Sequence, residues 1–251
     1  MHAAPAILVG KWNIPPCVLP KPEGELVVPE SIDGHKITKI EPWAFRGCDK
    51  MTKIVLPRYL EKVGDPLFRG CTALSSIEIA KDNPSFTSKN GALYSKDLKT
   101  LFVYPKAVDE IKLDAKTTEV AGHAFDSCRF RTVKVPASVK KLGWFAFACC
   151  PNLEVAEIPK SLESFSVAVF GENPKMKKVI IHGDAPETPK VTIWNGLKKD
   201  LFFNTSKDVV VEVDRGSKGW AGPGSTTLPE RWPLNSEDSR PIRYIDDGKK
   251  K

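Results

Sequence analysis

The chain has 251 residues, of which 41% are hydrophobic and 27% are charged, and its formal net charge is +7. This balance is typical of a folded protein and excludes a disordered chain, which would combine low hydrophobicity with high net charge. No apolar run approaches the roughly 20 residues of a membrane-spanning helix, so we expect no membrane insertion. The positive charge is spread along the sequence and forms no basic stripe, so we expect no nucleic-acid partner.

Residues 1–21 are rich in proline and precede any repeat, so we predict an irregular leader there. The short apolar patch at 6–9 has no basic residue before it and is a poor match to a secretory signal peptide. Because the chain then runs directly into a repeat, we interpret it as a fragment of a longer protein or as a sequence with a misplaced start.

From residue 22 onward one unit, L-x-x-I-x-x-x-A-F-x-x-C-x-x-L-x-x-I-x-I-P, recurs along the sequence. Successive phenylalanines such as Phe45 and Phe68 lie 23 residues apart. A period of this length is typical of leucine-rich repeats, which stack into a solenoid. Each copy is recognised by a phenylalanine and the residue three positions later: Phe45 and Cys48, Phe68 and Cys71, Phe125 and Cys128, Phe147 and Cys150, and Phe170 and Asn173.

Within each unit the spacing predicts a short strand and a tight turn. Ile54 and Leu56 alternate with outward positions, which is the period of a strand, and Pro57 ends that strand because it cannot donate a ladder hydrogen bond. The Ala-Phe-x-x-Cys segment is too short for a long helix, and we expect one or two helical turns that point phenylalanine and cysteine inward. Each unit buries its apolar side only by stacking on its neighbours, so the strands should form a parallel sheet on one face.

Two departures from the pattern are informative. Arg131 falls where leucine or methionine is expected, and we predict that Phe130 fills the core instead. The insert at 81–110 contains β-rich runs at 92–94 and 101–104 around a polar turn, which predicts a hairpin. Asn90 and Gly91 supply a second tight turn.

The repeat resembles the BspA-type leucine-rich repeat family, found on surface proteins of bacteria and some protists. The resemblance rests on the A-F-x-x-C unit, on the insert NPSFTSKNGALYSKDLKTLFVYP and on VVPESIDGHKITKIEPWAF, which is similar to the family's first repeat. Family members are usually secreted or attached to the cell surface and are associated with adhesion. The resemblance therefore implies a secreted or cell-surface interaction module, while the lack of a visible signal peptide leaves a cytoplasmic location open.

The cysteines at the shared repeat position should form a buried row. One ligand per coil gives a line and not a tetrahedral metal site, and parallel inward side chains are badly aimed for disulfides. We therefore expect free thiols that pack as small hydrophobic groups, with no metal and no cofactor. Cys17 and Cys149 lie off this row and can be exposed.

Nothing in the sequence has the pattern of an enzyme. The histidines are scattered, and neither a metalloprotease motif, a glycine-rich phosphate loop nor a spaced pair of buried carboxylates is present. We predict a non-catalytic protein, and we expect His123, in the turn AGHAF, to be a solvated variable residue.

The outward positions of the strands are the candidate partner-binding face, because solenoids often bind partners there. The alternative is a row of charges, from Glu78 through Lys134 to Glu157, that keeps the sheet soluble. The candidate positions are Lys53, Val55, Ser76, Glu78, Thr132, Lys134, Val155, Glu157, Lys178 and Ile180.

A second candidate surface is a group of aromatic and arginine residues near the C-terminus. Tryptophan faces can stack on sugars, so a glycan is a possible partner. The alternative is that these residues close the end of the solenoid. The group comprises Trp194, Trp220, Arg231, Trp232, Arg240 and Tyr244.

These observations predict one repeat array at 22–189, with the hairpin insert at 81–110, followed by a closing coil, cap and tail at 190–251. The function they favour is protein binding through the sheet face, with a protein partner of unknown identity. Two alternatives remain at this point: a structural spacer within a larger surface protein, and a carbohydrate-binding module that uses the C-terminal aromatic residues.

Overall fold

A computed structural model describes residues 20–187, 201–220, 229–232 and 240–245, and the backbone of two further strands between 187 and 201. Cys17 and most of the predicted leader lie outside the described residues. The strands, in chain order, are β1 (Gly24–Val27), β2 (Ser31–Ile32), β3 (His35–Lys36), β4 (Lys39–Ile40), β5 (Met51–Leu56), β6 (Lys62–Val63), β7 (Ser76–Ile79), β8 (Phe86–Lys89), β9 (Ala92–Ser95), β10 (Thr100–Val103), β11 (Glu119–Val120), β12 (Thr132–Lys134), β13 (Lys141–Leu142), β14 (Val155–Ile158), β15 (Ser164–Phe165), β16 (Lys178–Ile181), β17 (Thr192–Trp194), β18 (Leu197–Lys199), β19 (Val210–Val213), β20 (Arg231–Trp232) and β21 (Arg240–Tyr244).

The longer strands of successive coils pair side by side. β1, β5 and β7 form one parallel sheet, and β12, β14, β16, β19 and β21 form another, with β20 added antiparallel at its edge. Inward residues share the same register position, as Ile54 does with Ile77 and Val133 with Ala156. All four are buried, which confirms the alternation predicted for these strands.

A second row of shorter strands precedes the turn of each coil. β4 pairs with β6, and β10, β11, β13 and β15 pair in parallel farther along the chain. The insert joins this row, because β10 also pairs antiparallel with β9, which pairs with β8. Asn90 and Gly91 connect β8 to β9 with φ values of 52° and 73°, in the left-handed region that a tight hairpin turn requires. The insert is therefore a three-stranded meander, built around the expected hairpin.

The Ala-Phe-x-x-Cys segments form turns, and the described residues contain no helix, so the predicted helical turns are wrong. Along such a segment the backbone N–H groups alternate between two kinds of partner. Those of Ala44 and Arg46 donate to carbonyls three residues earlier, whereas those of Phe45 and Gly47 donate to carbonyls of the next coil. A helix would use its N–H groups within its own turns. Bonding to the neighbouring coil therefore replaces helix formation.

The phenylalanines form a column through the core. The ring centroids of Phe125 and Phe147 lie 4.7 Å apart, and those of Phe147 and Phe170 lie 6.1 Å apart, with nearly parallel planes. Two further rings extend the column beyond the copies that the sequence pattern identifies. Tyr104 lies 5.0 Å from Phe125, and Phe202 lies 6.0 Å from Phe170. The column therefore begins within the insert, at Tyr104, and extends past the last recognised repeat, to Phe202.

Phe130 and Arg131 exchange roles as the sequence predicts. Phe130 is buried, with its ring 6.1 Å from that of Phe125 in an edge-on orientation. Arg131 is exposed, and its Nε lies 2.8 Å from Oε1 of Glu154 on the next coil. The shortened coil therefore keeps its core without the usual leucine.

Candidate interaction surface

The candidate binding positions lie in two separate sheets. β7 and β12 do not pair, because the chain between them forms the meander and enters the second row of strands. The first sheet holds Lys53, Val55, Ser76 and Glu78. The second sheet holds Thr132, Lys134, Val155, Glu157, Lys178 and Ile180. The face predicted from the sequence is therefore divided into a first patch and a second patch.

The first patch is organised around Lys53. Its Nζ lies 3.5 Å from Glu25 and 3.1 Å from Glu78, the flanking residues on β1 and β7. The hydrogen bond to Glu78 raises the pKa of Lys53. Because Glu78 and Lys134 lie in different sheets, the charge row expected from Glu78 to Lys134 is interrupted. Exposed ion pairs such as that of Lys53 contribute little to stability.

The second patch is a continuous row across five strands. Lys134, Glu157, Ile180, Glu212 and Arg243 occupy one register position on successive strands. Lys134 Nζ lies 2.6 Å from Glu157, and Arg243 Nη2 lies 2.6 Å from Glu212. Opposite charges therefore face each other on both sides of Ile180.

Glu212 is the most buried charge of the second patch, with 6% of its surface exposed. Its carboxylate contacts Arg243 on one side and Lys178, at 3.0 Å, on the other. Burial alone would raise the pKa of Glu212, but the bonds from Arg243 and Lys178 outweigh it and hold the pKa below its usual value. Glu212 and Arg243 are not among the positions predicted from the sequence, although VVVEV and RPIRY have the strand alternation that could identify them.

Apolar side chains lie between these ion pairs. Val155 and Ile180 point outward on β14 and β16 and are each half-buried. Val155 is in register with Lys178, and Ile180 with Glu157. An outward surface that combines half-exposed aliphatic groups with paired charges can exclude water at its centre and still discriminate among partners by charge.

His182 connects the second patch to the following turn. Its Nε2 lies 3.2 Å from Glu157, and its Nδ1 lies 3.0 Å from Asp214. The pKa of Glu157 is lowered, first by the hydrogen bond from Lys134 and then by that from His182. This link could not be predicted from the sequence, because Glu157, His182 and Asp214 come from three coils.

The cysteines of the shared position are buried and free. Cys71 donates from Sγ to the carbonyl of Phe45 at 2.9 Å, and Cys150 donates to the carbonyl of Phe125 at 3.2 Å. In each pair the acceptor belongs to the column residue of the preceding coil. Burial raises the pKa of Cys128 to about 12 and that of Cys150 well above its ordinary value. The thiols of Cys128 and Cys150 are therefore neutral hydrogen-bond donors of the core.

Asn173 and Thr205 perform the same task where cysteine is replaced. Asn173 donates from Nδ2 to the carbonyl of Phe147 at 2.8 Å, and Thr205 donates from Oγ1 to the carbonyl of Phe170 at 2.6 Å. Cysteine at this position is thus one of several donors that the repeat accepts.

Cys149 is half-buried and lies in a polar cluster on the turns. Its Sγ donates to Oε2 of Glu172 at 2.8 Å, and the same oxygen accepts a bond from Nη2 of Arg69 at 2.6 Å. Burial raises the pKa of Cys149, and the carboxylates of Asp126 and Glu172 add to the effect. The thiol is therefore protonated at neutral pH and is a poor nucleophile.

Of the C-terminal aromatic and arginine residues, Trp220 and Arg240 are buried and close the core, whereas Tyr244 is half-buried and Arg231 is exposed. Trp220 is 2% exposed, and its Nε1 donates to the carbonyl of Gly183 at 3.1 Å. Arg240 is buried, and its guanidinium donates to the carbonyls of Phe202, Thr205 and Ser206. The side chains of Trp194 and Trp232 lie outside the described residues. Neither Trp220 nor Arg240 presents a surface on which a sugar could stack.

His123 is buried, so its predicted exposure is wrong. Its ring stacks on Phe145 with centroids 5.2 Å apart. Its Nδ1 lies 3.0 Å from Oδ1 of Asp65, a close contact without hydrogen-bond geometry. Trp144 donates to the other oxygen of Asp65 at 2.6 Å. His123 is buried by Asp65 and Trp144, which belong to two other coils, so the sequence of its own turn does not reveal this burial.

Within the described ranges, no group of three histidine, cysteine, aspartate or glutamate side chains is arranged to hold a metal ion. The residues that the structure describes also contain no helix that could span a membrane.

Comparison with known proteins gives one family. The model for BspA type leucine rich repeat regions matches six copies, over residues 31–106 and 98–192, which is more than half of the chain. No curated protein sequence matches the chain.

Several solved structures are similar to this chain. A leucine-rich repeat protein from Eubacterium ventriosum is 20% identical, with a TM-score of 0.60, over 76% of this chain and 48% of that one. The pneumococcal vaccine antigen PcpA is 20% identical, with a TM-score of 0.47, over 76% of this chain and 63% of that one. A leucine rich cell surface protein from Faecalibacterium prausnitzii is 21% identical, with a TM-score of 0.44, over 76% of this chain and 54% of that one. The chain thus spans about half to 63% of the length of these proteins, and the likeness shows the fold alone.

Proposed function

The chain belongs to the BspA-type leucine-rich repeat family, and from this premise we propose that it is a non-catalytic module that binds a protein partner through the outward face of its strands. Proteins of this family are generally repeat proteins without catalytic activity. A secreted or cell-surface location is part of the proposal, since it is the usual location in the family.

The second patch is the part of the face that we assign to binding. The observation that carries this assignment is the unbroken register of five parallel strands, in which half-buried Val155 and Ile180 lie between ion pairs. Binding at such a surface would bury the two aliphatic side chains and leave the charges at the rim. The first patch, with Lys53, Val55, Ser76 and Glu78, would extend the contact for a partner large enough to reach both sheets.

A panel of purified extracellular-matrix proteins, immobilised and titrated with the chain at low salt and at about 150 mM salt, tests the proposal. Saturable binding that survives the higher salt, is lost in Lys134→Glu and Ile180→Asp, and is retained in the control Lys116→Glu, at an exposed lysine outside both patches, would support it. Circular dichroism would verify that each variant is folded. Binding that persists in both second-patch variants would contradict the assignment of binding to the second patch.

The structural spacer is the alternative that the same experiment decides. A spacer would show no saturable binding to any protein of the panel. A signal that vanishes at the higher salt would reflect only the net charge of +7 and would also favour the spacer.

A further inference from the structure

The regular stacking of coils is interrupted where the insert supplies a short coil. In other coils five positions separate the inward residue of the second strand row from the column ring, as from Val63 to Phe68 and from Val120 to Phe125. In the coil of the insert only three positions separate Leu101 from Tyr104. This coil therefore lacks two residues of the turn that its neighbours have.

A cavity of about 160 Å³ lies at this interruption. Its walls come from the turns on either side, at 63–69 and 121–123, and the insert contributes Phe102, Val103 and Lys106. A dry cavity of roughly 150 Å³ in another protein accepts benzene. The space is therefore sufficient for a molecule of a few heavy atoms.

Most charged groups that line the cavity are already paired. Asp65 accepts the indole bond of Trp144 at 2.6 Å and lies 3.0 Å from His123. Arg69 donates to Glu172 at 2.6 Å. Asp65 therefore has a hydrogen-bond donor and Arg69 has a carboxylate partner within the protein.

Lys106 is different. Its side chain is buried, with 1% of the residue exposed, and its Nζ donates one hydrogen bond, to the carbonyl of Ala124 at 3.0 Å. An ammonium group has three donors, so two are left. No carboxylate in the described part of the chain lies within ion-pair distance of Nζ; Asp126, the other buried charge nearby, contacts Arg69 and Ser127. A buried cation without a counter-ion is costly, and an anionic ligand would remove that cost.

We propose that this cavity binds a small organic carboxylate, whose anionic group pairs with Lys106 and whose short apolar part packs on Leu67, Phe102 and Val103. The apolar walls favour an organic anion over an inorganic one, and the volume limits the ligand to a few heavy atoms. The site is independent of the proposed binding face, because none of its lining residues is an outward residue of either patch.

Isothermal titration of the wild-type chain with propionate and with propionamide, at constant chloride concentration, is the first test. The two probes have nearly the same shape and differ in charge. We expect saturable binding of propionate and at least about tenfold weaker binding of propionamide, the size of effect typical of a hydrogen-bonded charge. Equal binding of the two probes, or no saturable binding of propionate, would overturn the proposal.

Two variants and a control locate the site. Lys106→Met keeps an unbranched side chain that is one atom shorter and has no charge, and it should abolish the preference for propionate. Val63→Phe adds volume at a lining residue, leaves Lys106 in place and should block both probes. Lys116→Met, at an exposed lysine, should bind propionate like the wild type. Propionate binding that is unchanged in folded Lys106→Met would contradict the assignment. If that variant does not fold, the comparison of the two probes on the wild-type chain is the deciding test.

Discussion

Trp144 donates a hydrogen bond from Nε1 to Oδ2 of Asp65 at 2.6 Å, although 79 positions separate the two residues in the chain. The bond crosses the interruption at the short coil and joins the coils before and after it. Gly122 lies directly beside it, and a Cβ atom at that position would lie 2.0 Å from Nε1 of Trp144 and 2.2 Å from Oδ2 of Asp65. The bond therefore depends on the absence of a side chain at Gly122.

Gly122→Ala should lower the free energy of unfolding by about 1–3 kcal/mol, because the added methyl group forces Trp144 and Asp65 apart. Urea denaturation of the purified variant measures this loss. The same substitution in a Trp144→Ala background should cost less, since one of the two clashes is gone. An equal loss of unfolding free energy in both backgrounds would show that the clash with the indole of Trp144 is not the cause of the destabilisation.

Asn173→Ala should lower the free energy of unfolding by about 1–3 kcal/mol, because the buried carbonyl of Phe147 loses its donor and the N–H of Cys150 loses its acceptor. The carbonyl of Phe170 loses one donor and keeps the other, Thr205. Asn173→Cys restores the residue type of the repeat and should cost less than alanine. Asn152→Ala, at an exposed asparagine, is the control and should be nearly neutral. The hypothesis of an interchangeable donor position fails if cysteine and alanine at 173 are equally destabilising.

Stability should fall in alkaline solution because of the buried thiols. Burial raises the pKa of Cys128 to about 12, so the folded state keeps a proton that the unfolded state releases near its ordinary pKa of about 8.5. A raised folded pKa means that the stabilisation is complete below the unfolded value and is lost as pH rises toward the folded value.

Urea midpoints measured at about pH 7 and at about pH 10 would show this loss. Cys128→Ala should reduce the difference between the two midpoints, even though the variant is less stable at both. A difference that is unchanged in Cys128→Ala would exclude this buried thiol as its cause.

Protonation of Glu212 in acid should lower the stability of the fold. Its pKa is held below the usual value because Arg243 and Lys178 outweigh the effect of burial. Its stabilisation is therefore present above the unfolded pKa of about 4.3 and is lost as pH falls through the lower folded value.

Thermal unfolding of the wild type and of Glu212→Gln between about pH 7 and pH 3 measures this contribution. Glu212→Gln should lower the midpoint at neutral pH and flatten the curve in acid. Glu61→Gln, at an exposed carboxylate, should follow the wild type. Parallel curves for wild type and Glu212→Gln would refute the assignment.

The repeat and its core could be predicted because apolar periodicity directly reports burial. Ile54, Phe45 and Cys48 all lie inward, as their spacing predicts, and Phe130 replaces the leucine lost at Arg131. Residues whose environment is local to one coil were therefore accessible from the sequence.

Features that depend on contacts between coils could not be predicted in the same way. His123 is buried by Asp65 and Trp144, and the division of the binding face results from the pairing of β10 with β11. Tyr104 and Phe202 do not stand out in the sequence because Ala107 and Thr205 follow them where a cysteine would complete the pattern. The turns were mistaken for helical ones because the partners of half of their N–H groups belong to another coil.

The alternation of N–H partners along these turns divides the amides into two classes with different routes to solvent. The N–H of Arg46 is released when its own turn opens, whereas the N–H of Gly47 is released when two coils separate. Hydrogen exchange measured residue by residue would therefore report two separate free energies from adjacent positions. One is the free energy of opening a single turn, and the other is the free energy of separating a coil from the next. The attachment between coils could therefore be mapped along the axis of the solenoid.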